Sequence, residues 1–392
     1  MLRAADQGDL ATFVQTLREI EGRDPTLAGL LQTRRAAVSG IEWSIVDASS
    51  VSKTPTDESS AMRARDHVLD VLGNLESFES FIRHLGSAIG PGIAVAEIEW
   101  QGNTLVGLHP VDASRLRWDM PTSQLRIKVD ESDWEGIPAE PGKFIVHMPH
   151  AQGKYPQQGP VLRNLLLTTI AKAIVHKQWI IYSQVFGMPV RVGKVPITAT
   201  DRQRDDLLEE LKGMSSNAVA VLNDDESIEL ANVDSRGNSP YEPYIRWCDE
   251  RMAIAILGQT LTTEVGEAGS RAAAQVHNLI RRDILKADIE REAETIRRQL
   301  FKWIIKWTHT ESEAPVPYWC REIPRDVNRL AEADGLRRAQ DVGLDVPADW
   351  AYEALAIPKP AEGDDVLAPV VAPVPTFGFG AGPDDGTEPN DE

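Results

Sequence analysis

The chain has 392 residues, of which 42% are hydrophobic, and its formal net charge is −19. The length and the hydrophobic content exclude wholesale disorder and predict a soluble protein with enough core for two or three domains. The acidic balance excludes a conventional DNA-gripping surface, because such surfaces neutralise phosphates with clustered Lys and Arg.

The chain has only two cysteines, Cys248 and Cys320, and they lie far apart. This predicts two reduced thiols rather than a disulfide scaffold or a zinc site. The first ten residues lack the basic start and apolar run of a signal peptide, and no run approaches the ~18–20 apolar residues of a membrane span. We therefore expect a protein that is made in the cytoplasm and does not enter a membrane.

The hydrophobic spacing along the first half of the chain alternates between helical and strand-like periods. It predicts, in chain order, helices over 7–38, a strand over 41–46, a loop over 49–60, a helical segment over 61–90 and short strands up to residue 148. A β-rich module accompanied by helices is typical of the α+β class.

The second half is dominated by helical patterns. In order, we predict a helix over 159–187, a strand over 189–193, a helix over 198–213, a hairpin over 218–233, and helices over 239–258, 270–307 and 327–356. Residues 361–392 contain eight acidic side chains and no Lys or Arg, so they are predicted to be a disordered acidic tail.

The stretch "GQTLTTEVGEAGS" between two helices raises the question of a phosphate-binding loop. A P-loop needs a Lys that reaches the outer phosphates, and this stretch contains no Lys or Arg. Glu264 and Glu267 would repel phosphate, and Ser270 can cap the following helix without any ligand. The pattern therefore argues against a nucleotide site.

Other candidate sites are weak. His147 and His150 lack a third ligand at metal-binding spacing, which favours a surface histidine pair over a metal centre. Acid pairs such as Asp205-Asp206 and Glu209-Glu210 are typical of solvated helix faces. Trp303 and Trp307 lie one helical turn apart and are predicted to be core or subunit interface. We expect no metal, no cofactor and no enzymatic activity.

The order of these elements, together with particular segments, resembles a known family. A β-rich module and the helix "GPVLRNLLLTTI" lead to "GMPVRVG", and a later helix runs into "ILGQTLTTEVGEAGSRAAAQVHNLIRRDILKAD", with "TRRAAVSGIEWSI" near the start. This arrangement resembles the portal proteins of tailed bacteriophages, in the Mu-like branch. The resemblance extends over residues 1–357 and implies a ring-forming α+β portal fold.

The resemblance implies a division of the chain into the parts of a portal subunit. It assigns 1–197 to the wing, 198–216 to a stem helix, 217–238 to the clip hairpin, 239–258 to a second stem helix, 259–270 to the tunnel loop, 271–310 to a long wing helix, 311–360 to a C-terminal helical region and 361–392 to the tail.

The same resemblance implies the site residues. The tunnel loop facing DNA would comprise Thr260, Leu261, Thr262, Thr263, Glu264, Val265, Gly266, Glu267, Ala268, Gly269 and Ser270. Docking of the connector at the clip would involve Asn223, Asp224, Asp225, Glu226 and Glu229. The basic residues that follow the loop would form either a sparse positive ring or ion pairs with acids of a neighbouring subunit. A closed ring needs complementary surfaces between subunits, which favours the ion pairs. These basic residues are Arg271, Arg281, Arg282 and Lys286.

What the resemblance implies about function is a dodecameric ring at the portal vertex of the virion, assembled in the host cytoplasm. Double-stranded DNA would pass through it during packaging and ejection. Its partners would be the large terminase, the major capsid protein and a head–tail adaptor or connector protein. The alternative hypothesis is a DNA-processing or nucleotide-hydrolysing enzyme of the packaging machinery, against which the missing Walker motif argues.

Overall fold

A computed structural model describes residues 2–52, 56–130, 132–151, 155–186, 191–213, 219–223, 225, 241–259, 270–324, 329–355, 357–361 and 364. The chain divides into two compact units, Met1–Ile323 and Pro324–Glu392. The first unit contains most of the helices and all of the strands described below. The described residues of the second unit form two helices, α12 (Arg329–Asp341) and α13 (Ala348–Ala354).

The first unit mixes helices and short strands. Its helices are α1 (Leu2–Asp6), α2 (Leu10–Arg23), α3 (Pro25–Ser39), α4 (Ala48–Val51), α5 (Glu58–Gly73), α6 (Phe78–Gly86), α7 (Val161–Phe186), α8 (Asp201–Gly213), α9 (Tyr241–Leu257), α10 (Ser270–Ile296) and α11 (Lys302–Thr308). Its strands are β1 (Trp43–Val46), β2 (Ala94–Gln101), β3 (Thr104–Pro110), β4 (Leu116–Asp119), β5 (Gln124–Ile127), β6 (Ile137–Pro138), β7 (Phe144–His147), β8 (Arg191–Val195), β9 (Val219–Asn223) and β10 (Tyr318–Arg321). These elements confirm the predicted α+β class.

Four small sheets organise the described strands. The orders are β3-β2-β7 and β4-β5-β6, both antiparallel, with an antiparallel pair β1-β10 and a parallel pair β8-β9. The parallel pair requires a crossover, and α8 supplies it, because parallel neighbours cannot be joined by a tight hairpin. Leu207 and Leu211 of α8 pack directly over Gly193 of β8, where an added Cβ would lie within 2.9 Å of both side chains.

Two hydrophobic clusters form the core of the first unit. One joins α2, α3 and α9 to the β4-β5-β6 sheet, and its fully buried members include Phe13, Leu31, Ile127, Met252 and Ile256. The other joins α5, α6 and the β3-β2-β7 sheet to the segment around residue 300, and its members include Phe81, Leu108, Ile145, Phe301 and Trp319. Residues from the far ends of the sequence thus share each core.

The long helix predicted over 270–307 is continuous but not uniform. Residues Arg297–Phe301 between α10 and α11 form a π-helical turn. Within this turn Gln299 donates from Nε2 to the carbonyl oxygen of Val146 at 2.9 Å and accepts from the Val146 amide at 2.7 Å. The Gln299 side chain therefore pairs with the backbone of β7 at Val146, as a neighbouring strand would.

Three details differ from the sequence-based expectations. No strand was predicted after residue 307, whereas β10 pairs with β1 in the register Trp43 with Arg321 and Val46 with Tyr318. The first arm of the expected hairpin is β9, whose described partner is β8 rather than the second arm, which lies outside the described residues. The helix predicted over 198–213 begins only at Asp201, after a cap at Thr200, whose amide donates to Gln203 Oε1 at 3.0 Å.

The tryptophans of α11 pack against a glycine turn. The Trp303 and Trp307 rings lie 4.9 Å apart, and Trp307 is also 4.9 Å from the ring of Trp100. Trp100 Nε1 donates to the Gly142 carbonyl at 2.8 Å. The Lys306 ammonium lies 4.8 Å from the centroid of the Trp303 ring. Trp303 is half-buried and Trp307 is 36% exposed, which places the pair at the rim of the core.

Gly142 is expected to tolerate no side chain. Its φ is +88°, and an added Cβ would lie 2.9 Å from both the Trp303 and Trp307 rings. We expect Gly142→Ala to lower the free energy of unfolding by about 2 kcal/mol, from backbone strain and displacement of the indoles. Gly102→Ala is the matched control, since Gly102 has φ +60° but open space around its Cβ position. If urea denaturation shows equal losses of unfolding free energy for the two variants, the packing of Gly142 against the indoles does not explain the effect.

Candidate functional site

The predicted tunnel loop lies mostly outside the described residues, which resume at Ser270, the first residue of α10. The residues that lead into the loop from α9 are described. Gly258 follows α9 with φ +73°, and an added Cβ would lie 2.6 Å from Ile280 Cγ2 and 2.9 Å from Ile284 Cδ1 of α10. Only glycine fits there, because the conformation is left-handed and the two helices approach closely.

A buried arginine joins the two helices that flank this loop. Arg34 of α3 donates from Nε and Nη2 to the Asp288 carboxylate of α10 at 2.7 and 2.9 Å, and from Nη1 to the Ile256 carbonyl of α9 at 3.0 Å. The side chains of Arg34 and Asp288 are 8% and 4% exposed. A bidentate ion pair in this environment holds α3, α9 and α10 in one geometry.

His147 is buried and His150 is half-buried, so the expected surface pair was wrong. His147 is 4% exposed, and its Nδ1 lies 2.8 Å from the hydroxyl of Thr295. Because that hydroxyl donates to the Arg291 carbonyl at 3.0 Å, it accepts a hydrogen bond from His147 Nδ1. Burial, reinforced by the neighbouring His150, lowers the pKa of His147 to about 4. The ring is therefore neutral at neutral pH.

His150 lies at the same cluster. Its Nδ1 is 3.4 Å from Arg291 Nη1, and burial together with the charge of Arg34 lowers the pKa of His150 to about 4. Within the described ranges, no group of three His, Cys, Asp or Glu side chains has the geometry of a metal site. The cluster is a buried polar junction between β7 and α10.

A second buried ion pair ties the β1-β10 pair to α10. Arg321 donates from Nε and Nη2 to the Glu292 carboxylate, both at 3.1 Å, and it also contacts the Ile41 carbonyl. Burial raises the pKa of Glu292, and the Arg321 guanidinium opposes that shift. No sequence motif marks these residues, because each lies in an ordinary amphipathic pattern.

Helix α9 packs against α7. The Lys172 ammonium lies 2.8 Å from Asp24 and 2.6 Å from Asp249, and the Tyr182 and Tyr241 rings are 5.6 Å apart. Burial lowers the pKa of Lys172, but hydrogen bonds to the two carboxylates outweigh it and leave the pKa raised. Sequence analysis did not find Lys172, since a single lysine in an apolar helix carries no signal of its partners.

The predicted connector-docking residues are only partly described. Asn223 ends β9, and its side-chain oxygen accepts from Arg204 Nη2 of α8 at 2.6 Å. Asp225 is exposed in the following turn, whereas Asp224, Glu226 and Glu229 lie outside the described residues. The acid pairs of α8 are exposed to solvent, as the sequence analysis interpreted them. The β8-α8-β9 unit is thus a small module whose helix carries exposed acid pairs.

Of the basic residues after the loop, Lys286 has a described acidic neighbour within its own chain. Its ammonium lies 3.9 Å from Glu290, one helical turn away on α10. This exposed pair contributes at most a few tenths of a kcal/mol. It leaves open whether the remaining basic residues form a ring or pair with another subunit.

Residues 14–357 match the profile of a family described as the portal protein of Mu bacteriophage. The chain belongs to this Mu portal family. It is 26% identical over 376 residues to the Mu-like prophage FluMu protein gp29 of Haemophilus influenzae, covering 94% of this chain and 71% of the relative. It is also 26% identical over 390 residues to the portal protein of Escherichia phage Mu, covering 96% and 73% respectively. The family is structural rather than enzymatic.

The fold of this Mu portal family member is similar to chains in solved gene transfer agent (GTA) particles. For the neck of a native GTA particle computed with C12 symmetry, the TM-score is 0.56 at 10% identity, covering 88% of this chain and 93% of that chain. For the neck of an empty GTA particle computed with C6 symmetry, the TM-score is 0.53 at 11% identity, covering 86% and 90%. At these identities the similarity concerns the fold.

None of the described helices combines the length and apolar composition needed to cross a bilayer.

Proposed function

We propose that twelve copies of the chain close into a ring at one vertex of a phage capsid and that double-stranded DNA passes through the ring during packaging and ejection. The observation that carries the proposal is the family match over residues 14–357. The similarity to a chain from a neck computed with C12 symmetry supports the twelvefold ring. The ring belongs to the virion and assembles in the host cytoplasm.

The packing of α7 against α9 favours a different division of the subunit from the one the sequence suggested. We assign the stem to α7 and α9, the two long helices that share the Lys172–Asp249 contact. The clip then comprises the β8-α8-β9 unit between them. The wing comprises the residues before α7, together with α10 and α11. Residues 259–270 remain the tunnel loop of the proposal.

The partners follow from the position of each part in the ring. The clip, with Asn223 and Asp225 at its described edge, is the proposed docking surface for the large terminase and later for the head–tail connector. The wing is the proposed contact with the major capsid protein. The terminase must leave the clip before the connector binds there, so we expect the terminase contact to be reversible.

The composition of the tunnel loop supports a passage that does not retain DNA. Residues 260–269 contain two glutamates, no Lys or Arg, and otherwise small or apolar side chains. Each Lys or Arg that pairs with a phosphate strengthens DNA binding through counterion release, so a loop without them lets the duplex move. The formal charge of −19 for the chain extends the same argument to the surface as a whole.

Replacing Glu264 and Glu267 with Lys is expected to leave ring assembly intact and to slow DNA filling by on the order of tenfold, because new phosphate contacts must break at each step. The rate is measured in a packaging reaction as the amount of DNA per head that is protected from DNase, followed over time. Glu264→Gln with Glu267→Gln is the matched control and should fill heads nearly normally. Unchanged filling by the Lys variant would show that the loop does not face DNA.

The ring itself is tested by negative-stain electron microscopy of the purified chain and of assembled heads. We expect annular particles with a central hole and class averages with twelvefold symmetry in heads. A single globule in both preparations would overturn the proposed function.

A further inference from the structure

Helix α7 is apolar on more of its circumference than its own chain covers. Four aliphatic residues spaced by three, four and seven positions lie 42–75% exposed along one face, and they are Leu167, Ile170, Ile174 and Ile181. Residues at this spacing form one stripe along a helix. This α7 stripe is roughly 20 Å long at ~1.5 Å per residue.

Helix α9 carries a second exposed apolar surface. Tyr244, Trp247 and Ile254 are 39–46% exposed at helical spacing, and the Arg251 guanidinium lies 5.6 Å from the Trp247 ring between them. The Tyr244 and Trp247 rings are 5.8 Å apart. These three residues form the α9 stripe, which is richer in aromatic surface than the α7 stripe.

The two stripes face away from each other. Helices α7 and α9 share the side marked by Lys172 with Asp249 and by Tyr182 with Tyr241. At about 100° of rotation per residue, the α7 stripe lies roughly 130° around its helix from that side, and the α9 stripe roughly 150°. The helix pair therefore presents one apolar surface on each of its two outer sides.

We propose that the α7 stripe of one copy packs against the α9 stripe of the next copy around the ring. This inference rests on the proposed ring. A closed ring needs a head-to-tail interface between two different surfaces of the same chain. The chain presents two such surfaces on opposite sides of one helix pair, one aliphatic and one aromatic, and the similar neck chain was computed with C12 symmetry. A second copy is the occupant that covers both at once.

The register of the helix pair predicts which residues meet. The contacts of Lys172 with Asp249 and of Tyr182 with Tyr241 show that α7 and α9 run antiparallel. Rotation about an axis along the stem preserves height, so residues level with each other within one copy are also level between copies. Ile174 then meets the neighbour's Trp247 residue, and Leu167 meets Ile254.

The same register predicts what the basic residues within the two stripes contact. Lys177 of α7 lies level with Tyr244, where an ammonium can sit over an aromatic ring. Arg251 of α9 lies level with Ile170, over which its aliphatic stem can pack. The positive charges of the two stripes therefore do not oppose each other across the interface.

Two single substitutions test the interface. Ile174→Glu on α7 and Trp247→Glu on α9 each place a charge in one stripe and are expected to reduce the share of rings at least tenfold by sedimentation and negative stain. Val129→Glu is the matched control, since Val129 is 57% exposed and lies outside both stripes. Melting temperatures and circular dichroism of the variants should equal those of wild type, because the substituted side chains are exposed within one copy.

Mixing the two variants tests the head-to-tail geometry. Each mixed pair retains one intact interface, between the α7 stripe of Trp247→Glu and the α9 stripe of Ile174→Glu, so an equimolar mixture should form dimers that neither variant forms alone. Dimers in either single variant would mean that a stripe pairs with itself, which overturns the proposal. If wild type and both variants all form rings, the interface is wrong and the proposed function stands. If wild type forms no ring even in heads, both fail.

Discussion

Replacing Arg34 with alanine is expected to lower the free energy of unfolding by about 3–5 kcal/mol, because it leaves the Asp288 carboxylate buried without its partner. The same change removes the donor to the Ile256 carbonyl near the end of α9. Urea denaturation followed by tryptophan fluorescence measures the loss. Hydrogen exchange should show the largest loss of protection at the end of α9 and in the facing part of α10.

Two variants distinguish the buried ion pair from a general effect of losing an arginine. Arg23→Ala removes an exposed partner of Glu19, at 3.5 Å, and should cost less than about 1 kcal/mol. Replacing both members of the buried pair, as Arg34→Met with Asp288→Leu, should recover most of the stability lost by Arg34→Ala. A loss for Arg34→Ala no larger than that of Arg23→Ala would refute the role of Arg34 in joining the three helices.

Stability is expected to fall as the pH is lowered from about 6.5 to about 4, with His147 alone contributing about 3 kcal/mol. The pKa of His147 is lowered from 6.5 to about 4 in the folded chain, so the unfolded state binds the proton more readily. The stabilisation is complete above the unfolded pKa and is lost as the pH falls through the window between the two values. Thermal melting between pH 4 and pH 7 measures it.

The charged and titratable groups around the His147 imidazole determine how steeply stability changes with pH. Asp288 favours the protonated histidine, whereas His150, Arg291 and His84 oppose it. Glu292 acts with the opposite sign, because its raised pKa makes the folded state take up a proton first as the pH falls. His147→Gln should flatten the dependence of stability on pH, and His176→Gln on the exposed side of α7 should not. Identical profiles for wild type and His147→Gln would contradict the prediction.

Local sequence patterns predicted the elements that local physics controls. Apolar residues at helical spacing predicted α7, α9 and α10 to within three residues at each end except at the π-helical turn, and alternating residues predicted β1, β4, β5 and β7. The absence of Lys and Arg from residues 258–270 argued against phosphate binding without any structure. The resemblance of the segment that follows α9 to Mu-like portal proteins agreed with the family match.

Long-range contacts decided the rest. The pairing of β10 with β1 joins residues far apart in sequence, and nothing within four residues of Tyr318 encodes its partner. The parallel pairing of β8 with β9 was hidden because an alternating strand followed by an acidic turn fits a hairpin equally well. The pairing of α9 with α7 depends on Lys172 reaching two carboxylates from different segments.

The sequence by itself determined the α+β class, most of the elements and the family, because periodicity, turn residues and composition act over a few helical turns. Only the tertiary structure decided that His147 is buried, that Arg34 joins the helices around the loop, and that α7 and α9 leave two apolar stripes facing outward. The local sequence around an arginine, a histidine or an isoleucine can be the same whether its side chain faces water or another helix. Burial is a property of the packed chain, since it depends on which distant segments come together.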